Sequence, residues 1–272
     1  MTIPALLALA LATATIGTLG GFGGAVLLVP TLVLLGVDPV LAAPLGLISV
    51  AAGSLSAAPK QLASGLVHHR LGITLELTAT SAAVIAAWVS GAVSGTALQG
   101  VLAATAFVAG LAGFLRPASG YGPVAALAGE PSAEWPGSLD GAIATAEGVV
   151  PYRARNMGTG LVVMTFAGVV TGLSGVGAGF IKTPTMRELM YIPLKVAAAT
   201  STFSVAITSS TALLVFALQG RIDPLESSAV ALGGLIGGVL GSAVQDALPP
   251  VILRRFLSVM LIVIATVLVV QL

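Results

Sequence analysis

The sequence predicts an all-α polytopic membrane protein made of two inverted repeats, each a broken, re-entrant helical hairpin followed by three transmembrane helices. Three observations carry this. Of the 272 residues, 57% are hydrophobic and only 8% charged, with a mean hydropathy of +1.07; a soluble domain carries roughly a quarter charged residues. Apolar runs long enough for the ~30 Å hydrocarbon core follow one another along the chain. Finally, the stretch Gly17-Thr18-Leu19-Gly20-Gly21-Phe22-Gly23-Gly24, with Pro30 behind it, returns 154 positions later as Thr171-Gly172-Leu173-Ser174-Gly175-Val176-Gly177-Ala178-Gly179, with Pro184 behind it. Glycine costs about 1 kcal/mol per residue in a helix interior, so each cluster breaks its helix. In lipid a broken backbone survives only where protein covers it or where it lines a cavity. Breaks at matching positions of two halves point to a transporter's binding site.

Residues 4–36 form one apolar run that would span about 50 Å as a continuous helix, too long for a single crossing. Two half-helices, roughly 4–19 and 24–36, are expected instead. The opening Met1-Thr2-Ile3-Pro4 has no basic region before it and reads as the start of the first membrane segment, not as a cleaved signal. Asp38-Pro39 turns the chain into a second segment near 40–64. Segments near 71–94 and 97–115 complete the first repeat, residues 1–115. Residues 116–156 are punctuated by Pro117, Pro123, Pro131 and Pro136 and charged by Glu130, Glu134, Asp140 and Glu147; they read as a linker with a short hairpin near 140–153. The second repeat, residues 157–272, has its broken run at 157–190 and further segments near 195–219, 225–246 and 249–271.

Lysine and arginine collect on the cytoplasmic side of a membrane protein. With parallel halves the basic residues divide almost evenly between the two faces. With re-entrant, inverted halves, Lys60, Arg70, Arg116, Arg153, Arg155, Arg187, Lys195, Arg254 and Arg255 share one face and Arg221 alone lies opposite. The inverted arrangement follows, with both termini extracytoplasmic and the linker in the cytoplasm.

The two glycine turns then meet near the midplane. The half-helix beginning after each turn points inward an N-terminus with unpaired N–H groups and about +0.5 of a charge, which suits an anion. Candidate binding residues are Gly21, Gly23 and Gly24 of the first copy, Gly175, Gly177 and Gly179 of the second, and Thr200, Ser201 and Thr202, which open the next segment. Hydroxyls donate hydrogen bonds without the desolvation of a charge. Packing glycines and interhelical hydroxyl bonds are the competing readings. Lys182 stands where the first copy has Leu28. It is a further candidate, because ionisable residues at membrane depth are functional by default. The shortness of its half-helix favours snorkelling to the surface instead. Glu76 and Asp246 read as interfacial, and His68 and His69 as residues of a solvated loop.

The chain has no cysteine, which excludes disulfides and thiolate chemistry. No nucleophile–base set, phosphate loop or metal-ligand spacing stands out, so neither an enzyme nor a cofactor is expected. The net charge of +1 gives no reason to expect nucleic acid.

The two glycine runs and the stretch Ala198-Ala199-Thr200-Ser201-Thr202-Phe203 resemble the TauE/SafE family of sulfite exporters, also called TSUP transporters. The resemblance covers both membrane halves but not the 116–156 linker. It implies movement of small sulfur-containing anions, such as sulfite or organosulfonates, across the bacterial inner membrane. In this chain Leu45-Gly46-Leu47 replaces Thr-Ser-Thr in the first copy, so unequal contributions from the halves are expected. The expected partners are a small anionic substrate, the lipid bilayer, a proton as candidate coupling ion and a second copy in a homodimer. A channel-like anion pathway and a non-transporting membrane partner protein are the alternatives.

Overall fold

The computed structural model describes residues 1–20, 24–63, 65–115, 139–145, 148–245 and 250–272. The first half contains α1 (Ile3–Gly20), α2 (Ala25–Leu34), α3 (Pro39–Ala63), α4 (His69–Ser90) and α5 (Gly95–Leu115). A two-stranded antiparallel hairpin follows, β1 (Gly141–Thr145) and β2 (Gly148–Tyr152), with Gly141 opposite Tyr152. It occupies the stretch where turn residues predict one. The second half contains α6 (Met157–Ser174), α7 (Gly179–Pro184) continued by a π-helical turn (Thr185–Leu189), α8 (Leu194–Leu218), α9 (Pro224–Gln245) and α10 (Pro250–Val270).

Among the described residues, six helices are long and apolar enough to cross a membrane: α3, α4, α5, α6, α8 and α9. A helix the length of α4, 22 residues, reaches about 33 Å, which matches the hydrocarbon thickness. Their outward faces are apolar, as lipid requires: Leu77, Ile85 and Trp88 on α4 and Phe107 and Phe114 on α5 are all exposed. The protein is a multi-pass membrane protein.

Small residues set the helix packing, because association in lipid depends on close backbone approach. On α9, Gly233 lies against Leu7 and Ala10, Gly237 against Leu11 and Ala14, and Gly241 against Thr15 and Thr18. Helices α1 and α9 therefore run in the same direction. The same relation holds for α4 and α6, where Gly168 meets Ala79 and Gly172 meets Ala83 and Ala86. The first pair joins the first hairpin to the second half, and the second pair joins the second hairpin to the first half. Helix α3 runs antiparallel to α8. Gly177 touches both Val50 and Val205, while at the far end Arg221 donates to the carbonyl of Val40. Helices α5 and α10 are also antiparallel, with Gln99 Nε2 donating to the Leu268 carbonyl at 3.0 Å and Gly110 against Ser258 and Ile262.

Arg221 ties together one end of the bundle. It donates to Ser90 Oγ at 2.7 Å and to Gln219 Oε1 at 3.1 Å, and its guanidinium lies 4.2 Å from the Phe216 ring centroid. Burial holds its pKa below the usual arginine value, against the opposing pull of Asp38.

The packing can be tested at Gly172, where an added Cβ would come within 2.8 Å of both the Ala86 Cβ and the Ala87 nitrogen. Gly172→Leu should destabilise the protein by about 1–3 kcal/mol, the usual range for overpacking. Gly100, with nothing within 4 Å, should accept alanine without loss. Thermal melting in detergent compares the two.

Candidate functional site

The second helix break is fully described and shows how the site is built. Helix α6 ends at Gly175, whose φ of +69° is left-handed and whose N–H donates to the Thr171 carbonyl at 3.0 Å. Only glycine takes this conformation without strain. The chain then crosses Val176–Ala178 and resumes as α7. The π turn behind α7 is a rare local widening, of a kind frequent at functional sites.

Lys182, on α7, is completely buried. Its Nζ donates to Glu76 Oε1 at 2.5 Å and to Thr208 Oγ1 at 2.6 Å. Thr208 in turn donates to Glu76 Oε2. Thr80, one turn beyond Glu76 on α4, donates to the same oxygen at 3.1 Å. Glu76 is 4% exposed. One charged cluster thus joins α4 of the first half to α7 and α8 of the second, inside an apolar bundle. A charge held away from water must be paired and hydrogen-bonded, and here both oxygens of the carboxylate have donors.

This overturns two expectations. Lys182 does not snorkel, because a carboxylate is within reach inside the bundle and the side chain turns to it. Glu76 is not interfacial either: it stands about 10 Å into α4 and faces the neighbouring helices. Asp246 lies outside the described residues. A third correction concerns His68, which is not a solvated loop residue. It is 1% exposed, and its Nδ1 accepts from the Leu71 N–H at 3.1 Å to cap α4. Its ring stands edge-on to Tyr152 of the hairpin. The His69 ring packs edge-on to Phe203.

The hydroxyls of α8 divide by helix face. Thr200 accepts from the His68 N–H at 2.9 Å and so holds the entry to α4. Thr202 donates to the Ala198 carbonyl one turn back on its own helix, at 3.1 Å. Ser201 is 2% exposed and lies beside Gly179, where an added Cβ would stand 3.8 Å from Ser201 Oγ. Ser204 and Thr208 continue that face at helical spacing. Ser204 Oγ is buried and has no hydrogen-bond partner among the described residues.

The glycines divide as well. Gly21 and Gly23 lie outside the described residues. An added Cβ at Gly24 would meet the Ala14 backbone at 2.7 Å, one at Gly175 would meet the backbone of Ala43, and one at Gly177 would stand 2.8 Å from Val50. At these three the missing side chain lets two helices touch. At Gly179 the nearest contacts of an added Cβ are ordinary, 3.6 Å to Val205 and 3.8 Å to Ser201. Val176 and Phe180 of this break share an apolar cluster with Ala25 and Val26 of α2, so the two breaks adjoin one core.

The corresponding corner of the other half carries no charge. Leu28 stands 154 positions before Lys182 and is fully buried in that apolar cluster. Sequence reasoning missed Glu76 and Thr208 as site residues. The available signal was a carboxylate inside an apolar segment with Thr80 four residues on, on the same helix face.

A bundle of candidate membrane-crossing helices, with a helix break beside a buried ion cluster, is an arrangement that membrane transporters use for their binding sites. The chain belongs to the sulfite exporter TauE/SafE family, whose model matches residues 6–268. It is 30% identical over 115 residues to the probable membrane transporter protein YunE of Bacillus subtilis (strain 168), a match spanning 42% of this chain and 42% of that protein. No solved structure matches it.

The pairing predicts a sign pattern for stability. Lys182→Met strands a buried carboxylate and should cost about 3–5 kcal/mol, whereas Glu76→Gln combined with Lys182→Met should fall near the parent. A double-mutant cycle of melting curves reads the difference. A loss in the double variant equal to the sum of the losses in the two single variants would mean that the pair does not interact.

Proposed function

We propose that the protein carries small sulfur-containing oxyanions, sulfite or organosulfonates, out across the bacterial inner membrane by alternating access around a site at the second helix break. The observation that carries this reading is the fully buried Lys182 at the seam between the halves. It is a cation in a place where only a paired charge is tolerated, and its partner belongs to the other half. Ser201, Ser204 and Gly179 border the same break and supply hydroxyls and open backbone for oxygen atoms. The family description supports the substrate class. On one face of the protein, Asp140, Tyr152, Arg153, Arg155 and Tyr191 line an open surface pocket. Its two arginines suit it to be the cytoplasmic mouth through which an anion enters.

The two halves are proposed to be inverted, with both termini extracytoplasmic and residues 116–156 in the cytoplasm. The antiparallel run of α3 and α8, which hold equivalent places in the two repeats, supports this, as does the Lys/Arg distribution. The chain has no cysteine, so single cysteines report topology directly. Ser94→Cys should react with an impermeant maleimide in intact cells, and Leu139→Cys only after lysis. The reverse pattern would refute the orientation.

Transport is tested by proteoliposome flux of sulfite, sulfate, thiosulfate, taurine, sulfoacetate and methanesulfonate. Ser201→Ala should weaken binding of the transported anion by about 1 kcal/mol, roughly fivefold, as expected for one hydrogen bond. Gly179→Ala should melt like the parent yet lose most flux, because its methyl group enters the space beside Ser201. Unchanged flux in both would remove the anion from this break.

A further inference from the structure

We infer that Glu76 carries the coupling proton of this transporter, so that one proton crosses with each monovalent anion and the cycle is electroneutral for such substrates. This rests on the anion-transport reading above and adds to it the identity of the proton site and the stoichiometry. Charge must balance in so apolar a setting. In the structure Lys182 and Glu76 neutralise each other. An anion drawn to Lys182 in that state would leave the buried cluster with one net negative charge. A proton alone on Glu76 would leave one net positive charge. Either lone charge is strongly disfavoured where water is excluded. Proton and anion together leave the cluster neutral, as it is when empty.

The atoms are placed for this exchange. A proton from water adds to Oε1 of Glu76, which then no longer accepts from Lys182. The ammonium keeps its three protons and turns one of them to an oxygen of the anion. Thr80 and Thr208 both donate to Oε2, so the proton goes to the other oxygen, the one that Lys182 contacts. When the anion leaves on the far side, the proton returns to water there and the ion pair re-forms.

The other charged groups on the surrounding elements stand elsewhere. Helix α6 has none. Lys195 is the charged residue of α8 and lies in its first turn, about 20 Å along the helix from Thr208. On α4, His69 and Arg70 also occupy the first turn, and His68, just before it, faces Tyr152 and the Asp140 carbonyl. Behind α7, Arg187 pairs with Glu188 at 3.1 Å, partly in the open. Glu76 is thus the carboxylate at the seam, and its charge decides whether Lys182 is available.

The test uses the purified full chain in proteoliposomes holding a trapped pH dye, with the membrane potential clamped by potassium and valinomycin. The probes are sulfite and methanesulfonate, the latter a fixed monoanion. Methanesulfonate entry should acidify the lumen one proton per anion, at a rate independent of the clamped potential. Glu76→Gln removes the proton site, and its anion counterflow is read in the same vesicles to report how much folded, inserted protein remains. Net flux driven by a pH gradient should fall at least tenfold in that variant. The charge-neutral double variant, Glu76→Gln with Lys182→Met, should insert and melt normally and transport neither probe. Potential-dependent anion entry without acidification would overturn the coupling and leave the anion transporter standing. So would pH-driven net flux at the parental level in Glu76→Gln or in the double variant. Absence of flux for every anion in the panel above would overturn the transport reading and this inference with it.

Discussion

A buried lysine in a membrane bundle imposes one demand that organises much of what surrounds it: its charge must be matched. Lys182 meets that demand with Glu76, and the match can form only if three elements come together. Helix α7 must start at the break to carry Lys182 inward, α4 must present Glu76 about two turns inside its end, and α8 must bring Thr208 between them. The backbone contacts that allow this are made by small residues. Gly168 and Gly172 seat α6 on α4, and Gly177 lets the break lie against Val50 and Val205. Loss of one partner strands the other in apolar surroundings, so the pair holds the two halves in register as well as defining a chemical site.

The two halves, proposed to be inverted repeats, differ in chemistry. Their hairpins, their following helices and their helix-on-helix contacts correspond. Yet a buried leucine, Leu28, stands in the first copy where the second has Lys182. Residues beside both breaks share one apolar core, and Lys182 and Glu76 place a charged pair beside the second. The proposed chemistry is accordingly assigned to the second break, beside the hydroxyl face of Ser201, Ser204 and Thr208.

The helical plan could be read from the chain because it depends on local features. The glycines crowded at 175–179 separate α6 from α7, whereas the spaced pairs Gly233-Gly234 and Gly237-Gly238 leave α9 unbroken; apolar length sets which helices can cross, and the hairpin at Gly141–Tyr152 follows from turn residues around it. The site was legible only in fragments. Lys182 stands out in any reading, but its partner lies 106 residues away. Nothing in one-dimensional order joins a lysine after the second break to a glutamate on the fourth helix. The run Thr200-Ser201-Thr202 looks like one polar patch in the sequence. Successive residues on a helix point about 100° apart, so only Ser201 faces the break, while Thr200 holds the α4 entry and Thr202 bonds back to its own helix. Glycine has the same ambiguity. A missing side chain looks identical whether it leaves open space, as at Gly179, or makes room for a neighbouring helix, as at Gly24 and Gly175.

The central claim is that Lys182 and Glu76 are in direct contact inside the membrane when no anion is bound. Solid-state NMR of protein labelled with ¹⁵N-lysine and ¹³C-glutamate in lipid bilayers measures this contact through the dipolar coupling between Lys182 Nζ and the Glu76 carboxyl carbon. Lys182→Arg and Glu76→Gln samples assign the signal. The account predicts a strong coupling at neutral pH without substrate, of the size that a direct hydrogen bond requires. A Lys182 signal with no coupling to any glutamate carboxyl carbon, and with the solvent exchange of a surface ammonium, would contradict it.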